Sequence, residues 1–212
     1  MLSIVLLRHG KTAGNLEGRY NGRTDDPLCA EGVHEAESAG HYPDIRLVYS
    51  SPMLRARQTA EICFPNAERI TINDLREMDF GDFEGRTAQE MENDAAYREW
   101  VAGGCADRCP NGEGIPDFAS RAAAAFAGAM EDAISRGAHA VGFAVHGGVI
   151  MAIMTAFSGS DVPYHTWYVL NCGGYRITID EAKWREKRVF SNYTLFGEKG
   201  VSSEMVGCEL ES

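Results

Sequence analysis

A chain of 212 residues, 44% hydrophobic and 24% charged, can bury one substantial core and describes a folded domain rather than a disordered or fibrous chain. Its formal net charge of −11 at pH 7 argues against DNA or another polyanion as partner, because phosphate backbones are bound by clustered Lys and Arg. Against that acidic background, any local group of arginines is the more informative.

The opening run Leu2 to Leu7 is apolar, lacks a basic leader and is too short to span a bilayer, so it reads as a buried strand ending at Arg8-His9. No other stretch approaches the roughly 20 apolar residues of a membrane helix, and the expected location is cytoplasmic. Glu31 to Tyr42 carries helix signals. A second strand, Leu47 to Tyr49, leads into Ser51-Pro52, which as N-cap and first-turn proline start a helix through about Cys63. Arg69 to Ile72 reads as a third strand, and Gly103 to Pro116, rich in Gly, Pro and Cys, as a long loop. Alanine-rich Ala119 to Ile134 is a helix that stops near Gly137. The strand Ala140 to Val145 is followed, after Gly147-Gly148, by a short apolar helix from Val149 to Phe157. Tyr168 to Leu170 reads as a short strand, and Tyr175 to Val189 as two strands joined around Asp180 to Lys183, an antiparallel hairpin at one edge. The expected architecture is α/β, a three-layer sandwich around a mostly parallel mixed sheet with an antiparallel edge. One domain fills residues 1–196, and a frayed or loosely docked tail fills 197–212.

Six cysteines, Cys29, Cys63, Cys105, Cys109, Cys172 and Cys208, are scattered through a chain large enough to need no disulfides, which favours free thiols. Cys105 and Cys109 lack the second Cys or His pair of a zinc site, so no metal is expected.

In open α/β sheets ligands bind beyond the carboxyl ends of the strands, where Leu7-Arg8-His9-Gly10-Lys11-Thr12 falls. A lone histidine there is more often a satisfied core residue. Arg8 beside it, however, is costly to bury without an anion, and Gly10 lets backbone approach a ligand closely. Asn15 and the backbone of Gly14, Gly18 and Gly22 offer neutral donors, and Thr12 joins the candidate phosphate contacts; a plain turn-rich loop is the competing reading. Leu75 to Gly85, standing alone, reads as a solvated acidic loop. Val145-His146-Gly147-Gly148 ends one strand and begins a helix, where backbone donors and the helix dipole favour anions, so His146 and Gly147 are candidates. His34, His41, His139 and His165 lack that context and read as structural or exposed.

The Arg8-His9-Gly10 triplet at the end of the first strand resembles the signature of the histidine phosphatase superfamily, which includes the cofactor-dependent phosphoglycerate mutases. Arg19-Tyr20-Asn21-Gly22, then Asp26-Pro27-Leu28 with Gly32, then Ser50 to Ala60, are similar to its next blocks in order. In the last of these, Arg55 in the first turn of a helix projects towards the sheet edge that carries His9, and its fork is suited to two phosphoryl oxygens. Arg57, one helical face away, reads as solvated. Leu75 to Gly85 resembles the acidic segment of the family with Glu77 at the position of the proton donor, ahead of Asp79 and Glu84. His146 resembles the second histidine. The resemblance covers Leu2 to Phe157, with a weaker echo at Leu170 to Gly173. Cys29 stands where a hydroxyl residue is common, and Cys109 to Gly114 varies a Pro-x-Gly-Glu-Ser pattern of the phosphatase branch.

The resemblance implies a phosphoglycerate mutase-like fold and a metal-independent phosphatase, with no cofactor, that hydrolyses a small-molecule phosphate monoester through a phosphohistidine on His9. Arg8, Arg55, His146 and Asn15 would hold the equatorial oxygens, and Glu77 would protonate the leaving alkoxide. The short phosphatase branch suggests α-ribazole phosphate or a sugar phosphate. The expected partners are that ester and phosphate or another oxyanion, with no nucleic acid and no membrane; a homodimer is left open. A phosphoglycerate mutase is the alternative within the enzymes. A catalytically silent phosphate-sensing module is the alternative of another class, opposed by the intact set of His9, Arg8, Arg55, Glu77 and His146.

Overall fold

The computed structural model describes residues 1–197. Along it run β1 (Leu2–Arg8), α1 (Ala13–Leu16), α2 (Ala30–Ser38), β2 (Leu47–Ser50), α3 (Leu54–Cys63), β3 (Glu68–Thr71), α4 (Ala95–Ala102), α5 (Ile115–Ser135), β4 (Ala140–Val145), α6 (Gly147–Phe157), β5 (Gly174–Ile179), α7 (Glu181–Lys187) and β6 (Asn192–Phe196). The strands form one sheet in the order β3-β2-β4-β1-β5-β6. β1 to β4 are mutually parallel, whereas β5 runs antiparallel to both β1 and β6.

Strand alternation divides the core into two layers. Leu2, Ile4 and Leu6 of β1 pack with Tyr49, Phe143 and the buried faces of α5 and α6. Val5 and Leu7 point to the other side, where Val48 and Ala144 meet Ala36 of α2 and Ala60 and Cys63 of α3. Burial on both faces explains why β1 reads as a continuous apolar run rather than an alternating one. The expected three-layer α/β/α sandwich with a mixed sheet is the observed fold.

α5 shows how local sequence and packing agree. Pro116 sits in its first turn and Gly114 at its N-cap, and the buried side chains Phe118, Ala122, Phe126, Ala129, Met130 and Ala133 recur at helical spacing. Gly137, with φ of 66°, follows its end and stops it.

Three expectations are corrected. Tyr175 to Val189 is not a hairpin: β5 is followed by α7, capped by Asp180 accepting from the Lys183 amide, and its antiparallel neighbour is β6 further on. Trp184 of α7 is fully buried against Phe126, Phe157 and Phe190, and that tertiary contact holds a seven-residue helix that periodicity alone did not mark. Tyr168 to Leu170 is not a strand but the extended exit of a 3-10 turn over Tyr164–Trp167. Finally, Cys105 is disulfide-bonded, whereas Cys29, Cys63, Cys109 and Cys172 are free thiols. Cys208 and the expected tail beyond Gly197 lie outside the described residues. Among the described residues, no helix is long and apolar enough to cross a membrane, and no group of three or more His, Cys, Asp or Glu is placed to hold a metal ion.

Candidate active site

Three parallel strands end side by side, with Arg8 in register with Val145 and Ser50 in register with Ala144. The residues that follow them, His9, His146 and Ser51, therefore meet. The His9 and His146 rings lie edge to face with centroids 5.1 Å apart, and His146 Nε2 is 2.7 Å from Ser51 Oγ. Ser51 does not cap α3 as expected, because the helix begins at Leu54 with Met53 at the N-cap position and no side-chain cap. Ser51 Oγ accepts from the Met53 amide (3.3 Å) and also meets His146.

His9 is 4% exposed, and its Nδ1 lies 2.7 Å from the Gly10 carbonyl oxygen. A carbonyl only accepts, so Nδ1 carries the proton and Nε2 presents its lone pair. The Gly10 amide donates to Thr59 Oγ1 (3.0 Å), whose hydroxyl donates to the Arg55 carbonyl (2.8 Å), tying the loop to α3. A Cβ at Gly10 would stand 2.5 Å from the Gly32 carbonyl oxygen, so glycine is required by close backbone approach. From behind, Asn171 Nδ2 donates to the His9 carbonyl (2.9 Å), the Arg8 amide donates to Gly173 (2.9 Å), and the Cys172 amide donates to Arg8 (3.1 Å).

The Arg8 guanidinium is aimed by its NH1, which donates to Tyr168 Oη (2.8 Å) and the Val169 carbonyl (2.7 Å), with the cation 5.0 Å from the Tyr168 ring centre. Its Nε and His146 Nδ1 are buried without a protein partner. Unsatisfied buried polar atoms are rare in native folds, and two of them flanking His9 mark a place that an anion completes. Arg55 is 1% exposed and donates to the carbonyls of Thr24 (2.6 Å), Asn21 (3.1 Å) and Gly22 (3.2 Å). It stands behind the cavity wall, close enough to depress both histidines electrostatically.

Burial first, then Arg55 and Arg8, hold the His9 pKa well below the ordinary histidine value, so the ring is neutral. His146 is depressed by burial, then by Arg55, His9 and Arg8. Glu77 is moved the other way. Desolvation of its carboxyl raises its pKa, against the lowering effect of the Gly148 and Met78 amides and of Arg55 and Arg8. Oε2 accepts from Gly148 N and Oε1 from Met78 N, each at 3.0 Å. A cavity of about 380 Å³ opens over this cluster, and Arg8, His9, Asn15, Glu77 and Gly147 line it.

Other sequence candidates have structural duties. The Thr12 hydroxyl caps α1, accepting from the Asn15 amide and donating to Asn15 Oδ1, and it is buried away from the cavity. The Gly22 amide donates to Glu84 Oε1 (2.8 Å) and its carbonyl accepts from Arg55, so it offers no donor to a phosphate. Glu84 also takes the Thr24 amide and hydroxyl, and Asp79 pairs with Arg23 at 3.0 Å. Among the described residues that line the cavity, Glu77 is the acidic one.

Sequence reading missed several supporting groups. Arg121 of α5 grips Glu113 through Nε (2.9 Å) and NH2 (2.7 Å), and it donates to the carbonyls of Asp74, Arg76 and Glu77. Glu113 in turn accepts from the Asp79 amide (3.0 Å), so this pair fixes the segment that presents Glu77. Thr59, Tyr164, Tyr168 and Asn171 were likewise given no site role, Ser51 was read as a helix cap, and His165, read as structural or exposed, lines the cavity. The signals present were the altered Pro-x-Gly-Glu pattern around Glu113, the Ser50 to Ala60 block and the weaker echo at Leu170 to Gly173.

The family model described as histidine phosphatase superfamily (branch 1) matches residues 4–192. The Bacillus subtilis (strain 168) protein described as uncharacterized phosphatase PhoE is 30% identical over 202 residues, covering 93% of this chain and 98% of that protein. The crystal structure of the alpha-ribazole phosphatase from Shigella flexneri superposes with a TM-score of 0.78 at 25% identity, covering 94% of this chain and 99% of the other. That of a phosphoglycerate mutase from Thermus thermophilus superposes with a TM-score of 0.64 at 28% identity, covering 93% and 100%.

Proposed function

We propose, for a chain that belongs to the histidine phosphatase superfamily, a phosphoric monoester hydrolase that works through a phosphohistidine on His9. That it is an enzyme of the phosphatase or mutase type follows from the family.

The observation that carries it is the 2.7 Å contact of His9 Nδ1 with the Gly10 carbonyl, which leaves Nε2 unprotonated and facing a cluster built for an anion. In the first step Nε2 forms a bond to phosphorus as the ester P–O bond breaks, and protonated Glu77 gives its proton to the departing alkoxide. In the second, water forms the new P–O bond, the Nε2–P bond breaks, and the Glu77 carboxylate takes the proton from water. Arg8 and His146 supply donors where charge builds on the equatorial oxygens. The tautomer in which the Ser51 hydroxyl donates to His146 Nε2 leaves Nδ1–H as such a donor.

Water is favoured over an organic acceptor because the interval between Glu77 and His146 holds the Cys109 to Gly114 loop, a variant of the Pro-x-Gly-Glu-Ser pattern of the phosphatase branch. The candidate substrates are α-ribazole phosphate and sugar phosphates, the setting is the cytoplasm, and no metal or cofactor enters the scheme. A brief exposure to labelled ester followed by a denaturing quench should leave acid-labile phosphate on the His9 peptide, with inorganic phosphate as the product. Label confined to Ser or Cys, or return of the phosphoryl group to an organic acceptor, would reject the scheme.

A further inference from the structure

A second cavity, of about 470 Å³, shares a residue with the catalytic one, since Asn171 lines both. Lys11, Glu35, Ser38, Leu170 and Cys172 also line it, so it is bounded by the loop after β1, the last turn of α2 and the 170–172 segment. That segment supports His9. Asn171 Nδ2 donates to the His9 carbonyl (2.9 Å), and Cys172, held left-handed at φ of 57°, directs its amide to the Arg8 carbonyl (3.1 Å).

The spare polar capacity of this cavity favours a cation. Among its described lining residues the cation is Lys11, whose Nζ is already spanned by Glu31 (2.6 Å) and Glu35 Oε1 (2.8 Å), which leaves one negative charge in excess. Glu35 Oε2 is buried without a protein partner. An unpaired buried carboxylate oxygen is costly, and it marks a place that a donor completes. Asn171 has spent its Nδ2 on His9, which leaves Oδ1 as an acceptor. The last turn of α2 carries no basic residue, so the negative end of its dipole is not neutralised from within the helix. Three separate elements thus turn negative or accepting groups towards one space.

We infer that this cavity is a second ligand site, for a small organic cation bearing a primary ammonium group, and that its occupant acts on His9 through Asn171. An ammonium has three donors and no acceptor, which suits a carboxylate oxygen, an amide oxygen and the Ser38 hydroxyl, while Leu170 offers apolar surface to an alkyl chain. The volume is within the range of small-molecule sites. A donor on Asn171 Oδ1 polarises the amide and strengthens its Nδ2 bond to the His9 carbonyl. The action on His9 rests on the phosphatase reading, whereas binding is read without turnover, so the two can fail separately.

Cys172 reports on occupancy. Its thiol is free and 8% exposed, and burial pushes its pKa up to about 12, so its reaction with methyl methanethiosulfonate is slow enough to time. The thiolate attacks the thiol-side sulfur of the reagent, a mixed methyl disulfide forms and methanesulfinate leaves. Butylammonium chloride should slow labelling of the Cys172 peptide, followed by mass spectrometry, several-fold and saturably. At matched ionic strength, tetramethylammonium, which has the charge but no N–H, and 1-butanol, which has the chain but no charge, should leave the rate nearly unchanged. Glu35→Gln should raise the half-protecting concentration of butylammonium about tenfold, the scale of one hydrogen bond to a charged group. Equal protection by tetramethylammonium, or none by butylammonium, would overturn the site. In the same titration kcat for nitrophenyl phosphate should rise about twofold with the same midpoint, the scale of one strengthened hydrogen bond, with KM moving less. An unchanged kcat while Cys172 is protected would overturn the action on His9.

Discussion

The carboxylate of Glu77 is bound to the amide of Gly148, two residues beyond His146, by a 3.0 Å hydrogen bond that joins the acidic segment to the first turn of α6. Gly148 must be glycine for this to hold, because a Cβ there would overlap Glu77 Oε1 and crowd Phe118. The atom displaced is the end of a flexible side chain. Gly148→Ala should therefore keep its thermal midpoint, helped by better helix propensity, while losing on the order of 10²-fold in turnover of alkyl phosphates. Nitrophenyl phosphate, whose leaving group needs little protonation, should lose far less. Equal losses for the two esters would remove Glu77 from proton transfer.

Arg8 lowers the pKa of both His9 and Glu77. Replacing it in Arg8→Met should move both limbs of the kcat/KM profile to higher pH, beyond the expected fall in rate. Glu77→Gln should abolish the alkaline limb and keep the acid one. Limbs that stay in place when Arg8 is neutralised would contradict the electrostatic account.

Stability should follow pH through the buried histidines. His9 and His146 have folded pKa values well below the ordinary 6.5 of the unfolded chain. Below 6.5 the unfolded state takes up protons that the native state refuses, so their contribution is complete above 6.5 and is lost as pH falls towards the folded values. Glu77, raised above 4.5, acts in the opposite sense, restoring stability as pH falls through its raised value. In His146→Gln the acid-side slope of unfolding free energy should flatten by up to about 1.4 kcal/mol per pH unit, one proton's worth. Urea melts across that range measure it, and an unchanged slope would count against a neutral buried His146.

Ser51→Ala removes the hydroxyl 2.7 Å from His146 Nε2 without touching the cavity wall. The ring then loses what fixes its tautomer, and kcat should fall about tenfold, less than the roughly 10²-fold or more of removing such a donor outright, with KM changing less. Ser51→Thr, which keeps the hydroxyl, should recover part of the loss.

Arg121→Met breaks the pair with Glu113 and three bonds to the 74–77 backbone. Both side chains are mostly buried, at 18% and 21% exposure, so the loss should be about 2 kcal/mol by urea denaturation, with activity on alkyl esters reduced as Glu77 loosens. Lost activity at full stability would separate the two roles assigned to Arg121.

The ends of β1 and β4 were legible in the chain because buried parallel strands are written as unbroken apolar runs, and each stops where Arg8-His9 and His146-Gly147 begin. His9, His146, Arg8 and Glu77 were therefore identifiable as candidates from local sequence and family resemblance. Long-range partners were not. Ser51 turning to His146, Arg121 gripping Glu113, and the 170–173 segment bracing Arg8 and His9 depend on contacts between residues far apart in the chain, which no local periodicity records. The same holds for Thr12 and Gly22, whose polar groups were available to a ligand in sequence but are spent on Asn15, Glu84 and Arg55 in the fold. Sequence alone determined which residues stand at the strand ends as candidates, since strand burial and strand ends are local properties. Tertiary structure alone decided which of their atoms are free to act, because a hydrogen-bonding group satisfied across the sheet has no capacity left for a ligand.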